Sequence, residues 1–299
     1  MLNTNTHRIL ITGANGLLGQ KLVKLLLRRG IPFLATSSGK NRNPDCPVMN
    51  YAEMDITSAE RVQLVFEQFN PTHVIHTAAL TNVDYCELHP DECEKVNVTG
   101  TTNLLEASEN RNAHFQFLST DFVFNGKMGP YKEEDEVDPL SEYARSKVKA
   151  EQKLMSSSYA NWSIVRTIIV YGTGHNLSRS NLILWAIKAL REDQELKIVD
   201  DQFRAPTWAE DLAWGCLEIC RLGEKGIFHL AGPTTYSILE IVQRVARHFG
   251  FSEGHITPLS SKELSQPAKR PPMTGFDLSK ANRLLNYRPK ALEDTLDLL

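Results

Sequence analysis

Thr12-Gly13-Ala14-Asn15-Gly16-Leu17-Leu18-Gly19 decides the fold, because it joins a short apolar run, His7 to Thr12, to leucines recurring at helical spacing up to Arg29. Gly30 stands where a helix C-cap belongs, and Ile31 to Ala35 is apolar again. The three segments read as strand, helix, strand. At such a turn the backbone N–H groups and the helix dipole face a pyrophosphate. Gly13 permits the sharp turn, Gly16 lets the backbone approach phosphates, and Gly19 lets the helix pack on the strand. The glycines are three apart, so the Gly-x-Gly-x-x-Gly fingerprint is not matched literally.

The alternation continues along the chain. Ser58 caps a helix to Phe69, Asn70-Pro71 ends it, and His73 to Thr77 reads as a buried strand. His114 to Leu118 and Ser163 to Val170 add strands, with helical stretches from about Glu92 to Glu109 and Ser141 to Met155. Parallel strands need crossovers, and these crossovers are helices, so the expected fold is α/β: a doubly wound parallel sheet of the NAD(P)-binding Rossmann type. Beyond Tyr171-Gly172 the alternation becomes irregular and proline-richer, which predicts a smaller C-terminal substrate-binding lobe. The expected division is 1–172 for the dinucleotide, with a return segment near 205–231, and 173–204 plus 232–299 for the lobe.

The chain has 299 residues and a formal net charge of −3, with Lys and Arg scattered among acids. No basic block offers a footprint for nucleic acid, and no run of about 18 apolar residues suggests a membrane span. The five cysteines show no zinc spacing, so free thiols in a reducing, cytoplasmic compartment are expected and no metal is proposed. His73, His76, His114 and His229, and Trp185, Trp208 and Trp214, read as packing residues.

The second strand ends in Thr36-Ser37-Ser38-Gly39-Lys40-Asn41-Arg42, with no acid from Ala35 to Pro44. An NAD site places Asp or Glu here for the ribose 2′-hydroxyl, whereas a 2′-phosphate needs hydroxyls and cations. Ser37, Ser38, Lys40 and Arg42 therefore favour NADP(H), with NAD(H) left open. Asp55-Ile56 could contact adenine, or Asp55 could cap the following helix. Tyr143 and Lys147 are four apart on a predicted helix and share a face. A free tyrosine titrates near pH 10, so it serves as acid or base only with a cation beside it, which Lys147 can supply. Ser119-Thr120-Asp121 closes an apolar strand at the carboxyl edge, where ligands bind in open parallel sheets. A hydroxyl there can hold a carbonyl while Tyr143 protonates it and a nicotinamide gives hydride.

With these segments in place, the chain resembles the extended short-chain dehydrogenase/reductase family, and within it the dTDP-4-dehydrorhamnose reductase branch. The matching segments are Thr12 to Gly19, His76 to Ala79 with Thr81 to Asp84, Val96 to Gly100, Leu118 to Gly126, Tyr143 to Lys147, Arg166 to Gly172, Asp201-Gln202 with Pro206-Thr207, Asp211 to Ala213, and Arg270-Pro271. The resemblance implies Thr120, Tyr143 and Lys147 as the catalytic triad, Lys147 also binding nicotinamide ribose. It implies Gly13, Asn15, Gly16, Leu17, Leu18, Ala78 and Ala79 against the cofactor, and Asn97 supporting the active-site helix. Asp84, Asp121, Ile169, Arg204 and Arg270 are the expected substrate residues, and the implied partner is a nucleotide sugar, with a homodimer open. Three positions depart from the branch: Ile169 stands where Trp is common, Arg204 where Gly is, and Met273-Thr274 where Asn-Ser is usual. Arg204 could grip a diphosphate bidentately or be a solvated loop residue. Three functions are compatible: reduction of a 4-keto-6-deoxy nucleotide sugar, a non-catalytic NADP-binding subunit like the beta subunit of methionine adenosyltransferase, or a nucleotide-sugar epimerase or dehydratase.

Overall fold

The structure is a computed structural model that describes residues 7–299. The first half runs β1 (Ile9–Thr12), α1 (Leu17–Arg29), β2 (Phe33–Ser37), β3 (Tyr51–Glu53), α2 (Ala59–Phe69), β4 (His73–His76), α3 (Val83–Leu88), α4 (Pro90–Glu94), α5 (Gly100–Asn110), β5 (His114–Thr120), α6 (Glu142–Ser156) and β6 (Trp162–Thr167). The second half runs β7 (Val170–Tyr171), α7 (Leu182–Arg191), β8 (Leu196–Val199), β9 (Phe203–Arg204), β10 (Thr207–Trp208), α8 (Ala209–Leu222) and β11 (Gly226–His229). It ends with β12 (Tyr236–Ser237), α9 (Ile238–Phe249), β13 (Ile256–Leu259), β14 (Met273–Thr274), α10 (Ser279–Leu285) and α11 (Glu293–Leu296).

Seven strands form one parallel sheet in the order β11-β6-β5-β4-β1-β2-β3. The strand order reverses direction beside β1, and in open parallel sheets that crevice takes the ligand. One face is covered by α1, α8 and α10, whose Leu22, Leu26, Cys216 and Leu285 join Ile9 and Ile11. The other is covered by α2, α5 and α6 through Val62, Phe66, Leu104 and Leu154 around Leu10 and Phe115. The expected local signals hold: Gly30 closes α1 in the left-handed region at φ 62°, Ser58 accepts from Arg61 N–H, and Asn70 ends α2 at φ 50°. His76 lies between the Thr12 and Thr101 hydroxyls, and His114 meets Ser163.

α7, α9 and α11 form a second core, in which Ile183, Ile187, Ile198, Val242 and Leu296 pack with Tyr171 and Trp208. Its strands pair as β8 with β13 and as β12-β9-β14. Three expectations change. Residues 279–287, assigned from sequence to this lobe, pack on α8 and β11 instead, Leu285 and Tyr287 joining the Rossmann core. The single strand expected from Ser163 to Val170 breaks after Thr167, because Ile169 has φ 30° and the chain leaves the main sheet to pair β7 with β10. Trp185 is 41% exposed, although Trp208 is buried. Among the described residues no helix is long and apolar enough to cross a membrane.

Candidate active site

The turn after β1 is built by close approach. Gly13 has φ 71°, and a Cβ there would stand 2.6 Å from Ala78 N; one at Gly19 would stand 2.5 Å from Gly13 O. The strand ends, turn and helix are therefore held together only without side chains. Gly16 starts α1 with no side-chain cap, so the helix's first N–H groups are left for a ligand. From this turn opens a groove of about 830 Å³, within the range of cofactor sites. It is lined by Gly13, Asn15, Gly16, Leu17 and Leu18 of the turn, by Ser37, Ser38, Lys40 and Arg42 after β2, and by Asp55, Ile56, Ala78 and Ala79. The bare turn and groove fit a dinucleotide.

The Asn15 side chain organises the far end. It donates to Lys40 O at 2.9 Å and to Tyr51 Oη at 3.1 Å, and accepts from Arg42 N–H at 2.8 Å. Lys40 and Arg42 are exposed at the groove, while Ser37 Oγ accepts from Asn15 N–H. Asp55 does not cap α2, since Ser58 does; it accepts from the Thr57 N–H and hydroxyl at 2.9 Å. Thr77 and Thr81, from two of the segments that carry the resemblance, also line the groove, as does Ser178; Ser178 and Tyr51, which supports Asn15, have no local pattern that marks them.

At the carboxyl end of β5, Thr120 accepts from Phe122 N–H at 3.3 Å and donates to Asp121 Oδ1 at 3.1 Å. Ser141 caps α6 by accepting from Ala144 N–H, which puts Tyr143 in the first turn, its ring edge-on to Phe122 and its phenol near enough to the Thr120 side chain to feel it. Burial raises the phenol well above its ordinary value, and the Thr120 hydroxyl opposes that. One turn on, Lys147 Nζ donates to Leu118 O at 2.7 Å and lies 4.0 Å from the centre of the Phe117 ring. Burial pulls the ammonium down to about 7, against the charge of Glu151 a turn further along. Glu151 is itself paired bidentately with Arg166 at 2.7 and 3.1 Å, both groups almost fully buried. The triad is thus brought together on one helix face and one strand end.

Asn97 contacts α6, the helix that carries Tyr143 and Lys147, as the resemblance implies. It lies in a π-helical turn, Lys95–Thr99, between α4 and α5, and is 1% exposed. Its amide bonds both the N–H and carbonyl of Leu80 and reaches Ser146 Oγ at 2.9 Å, fixing α6 against the loop after β4. Its donors and acceptor are therefore spent inside the protein.

The five expected substrate residues separate. Asp84 and Arg270 form a bidentate pair at 2.7 and 3.1 Å, tying the start of α3 to the segment before β14. Ile169 is half-buried at the strained turn. Asp121 is buried, its second oxygen accepting from the Thr274 hydroxyl and facing Arg204 Nε at 3.7 Å. Burial raises the Asp121 carboxyl, and the Arg204 charge opposes the rise. Arg204 corrects the sequence reading. It is 2% exposed and donates to the carbonyls of Phe203, Pro271 and Pro272, so its guanidinium is enclosed by protein and not open to a diphosphate.

A glycine turn opening a dinucleotide groove, beside a Thr-Tyr-Lys constellation at the sheet's carboxyl edge, defines a Rossmann-type NAD(P)-dependent oxidoreductase. The chain belongs to the family described as the RmlD substrate binding domain, matched over residues 7–299. It is 31% identical over 291 residues to the "Probable low-salt glycan biosynthesis reductase Agl14" of Haloferax volcanii, covering 97% of this chain and 96% of the relative. It is 30% identical to the dTDP-4-dehydrorhamnose reductase of Aggregatibacter actinomycetemcomitans, covering 94% of each. The crystal structure of dTDP-4-dehydrorhamnose reductase from Bacillus anthracis in complex with NADP superposes with a TM-score of 0.85 at 27% identity, covering 98% of each chain.

Proposed function

We propose that the protein uses NADPH to reduce the 4-keto group of a nucleotide-linked 6-deoxysugar. The observation that carries the reading is the placing of Thr120 at the end of β5 beside the buried Tyr143 phenol, with Lys147 one turn along α6 and tied to the same strand through Leu118 O. When bound, the nicotinamide supplies hydride to the carbonyl carbon. Tyr143 gives its proton to the carbonyl oxygen, and Thr120 holds the same oxygen by a hydrogen bond. Burial keeps the phenol protonated until a substrate takes its proton, which suits an acid. Lys147, whose ammonium titrates near neutrality, carries positive charge beneath the phenol and is the nearest cation for the cofactor ribose. Lys40 and Arg42 would hold a 2′-phosphate, and their exposure without a nearby ribose-binding acid favours NADPH over NADH. The RmlD family and the reductases it contains support a nucleotide sugar as substrate. Residues 1–172 with 205–231 would form the cofactor side, and the second core the sugar side.

The test is oxidation of NADPH by the purified chain when dTDP-4-dehydrorhamnose or a close 4-keto-6-deoxy nucleotide sugar is added. Tyr143→Phe should slow it roughly 100- to 10,000-fold, the range of general acid catalysis, with NADPH affinity nearly intact. Tight NADPH binding without oxidation across a panel of such sugars would overturn the proposal in favour of a non-catalytic subunit.

A further inference from the structure

We propose that the segment from Thr173 to Ser178 is a gate on the cofactor groove and that Gln20 is the positioning residue that latches it, so that entry and release of NADPH depend on the second half of the chain. This inference rests on the reading of the groove as a dinucleotide site. The segment connects β7 to α7 and is tied off at its base, where Asn181, the N-cap of α7, donates to Gly172 O at 2.8 Å. Most of it is exposed, and Ser178 at its far end joins Gly16, Ser37 and Ala79 in lining the groove. Gln20 lies one turn into α1, its N–H bonded to Gly16 O, and is 4% exposed. Its side-chain amide accepts from His175 N–H at 2.8 Å and donates to His175 O at 2.7 Å and to Asn15 O at 3.1 Å. Both amide protons are therefore used, one on the cofactor turn and one on the segment. Gly174 permits the approach, since a Cβ there would stand 3.1 Å from Gln20 Oε1.

A second tie runs through the same turn. Asn176 Nδ2 donates to Arg42 O at 3.2 Å, and Arg42 N–H donates to Asn15 Oδ1 at 2.8 Å. The segment is thus registered on Asn15 twice, through Gln20 beside the glycine turn and through Arg42 at the end expected to take the 2′-phosphate. His175 and Asp45 approach at 3.5 Å, an exposed pair that adds little. What is missing is packing: none of residues 173–178 belongs to an apolar core among the described residues. A segment held by a few hydrogen bonds and little buried apolar surface opens at low cost. With the latch closed, the wall that carries Ser178 stays in place. With it open, the groove widens on that side, and a dinucleotide spread from Gly13 to Arg42 can pass.

The experiment follows NADPH binding to the full chain by stopped-flow fluorescence, in the parent, in Gln20→Met, which keeps the bulk of the side chain without its hydrogen bonds, and in Asn176→Ala. Losing both bonds to His175 should raise the open population about 10- to 100-fold. A latch acts on empty and loaded protein alike, so association and dissociation should both quicken by that order, with Kd changed less than about 3-fold. Asn176→Ala loses one exposed bond and should quicken both by about 2- to 5-fold. Amide hydrogen exchange over 173–178 in the cofactor-free protein should speed up in the same order. Faster dissociation with association unchanged would reduce Gln20 to the support of a bound-state contact, and unchanged rates with faster exchange would make the segment a latched loop that gates nothing; either overturns the proposal. If Gln20→Met does not melt cooperatively, Asn176→Ala carries the same comparison. A parent chain that binds NADPH but reduces no keto sugar would refute the functional reading and leave the gate standing, whereas one that binds no NADPH would overturn both.

Discussion

Lys147→Met should make the cofactor-free protein more stable at neutral pH while abolishing its activity. The side chain is 2% exposed, and its ammonium has one oxygen partner, Leu118 O, beside the Phe117 ring. Burial moves it from 10.5 to about 7, which at about 1.4 kcal/mol per tenfold change in proton affinity is a cost of about 5 kcal/mol. The sign follows from proton uptake. Below pH 7 the folded and unfolded states both hold the proton, and the cost is fully present. Between the folded value and 10.5, unfolding takes up a proton, so stability rises with pH. The variant lacks this slope. Its advantage over the parent should level off at its largest value below about pH 6 and shrink by about 2–3 kcal/mol between pH 7 and 9. Urea denaturation of both proteins across that range measures the difference, in which other titrating groups cancel. A Cys93→Ser background is needed, because the Cys93 thiol, held near 7 chiefly by its contact with Cys86, also feels the Lys147 charge. Parallel curves, or a variant less stable at every pH, would refute the reasoning.

Replacing Lys40 and Arg42 together with Ala should weaken NADPH binding roughly 10- to 100-fold and leave NADH nearly unchanged, the loss expected for charge-assisted bonds at an exposed site. Titration of both cofactors at two salt concentrations checks it, since the preference should also shrink with salt. Glu151→Gln should destabilise the fold by about 3–5 kcal/mol, because it leaves the Arg166 guanidinium buried without its carboxylate. Denaturation measures that directly, and the same variant should lower the proton affinity of Lys147 by removing the charge that supports it.

Much of the site was legible because its signals are local. Glycine spacing marks the turn on α1, the stretch after β2 brings Lys40 and Arg42 to the groove with no acid among its residues, and the interval between Tyr143 and Lys147 puts both on one helix face. Asn97 was placed beside the active-site helix and Arg204 at the site from resemblance, yet the partners of neither were readable. Asn97 spends its amide on Leu80 and on Ser146, 49 residues away. Arg204 is enclosed by carbonyls 67 and 68 residues away. A sequence shows a charge and its neighbours in order, and desolvation depends on neighbours in space.

The sequence by itself determined the parallel α/β sheet, the dinucleotide turn and the Thr-Tyr-Lys constellation, because hydrophobic period, caps and glycine geometry act over a few residues. Only the tertiary structure decided that Ile169 turns the chain out of the sheet, that residues 279–287 return to the Rossmann core, and that Asp84 closes on Arg270 across 186 residues. These outcomes depend on which surfaces meet when the two cores pack, and no local pattern encodes that choice. The same packing buries Arg204 against Asp121, so a residue that the sequence leaves open between a diphosphate contact and a solvated loop is enclosed by protein.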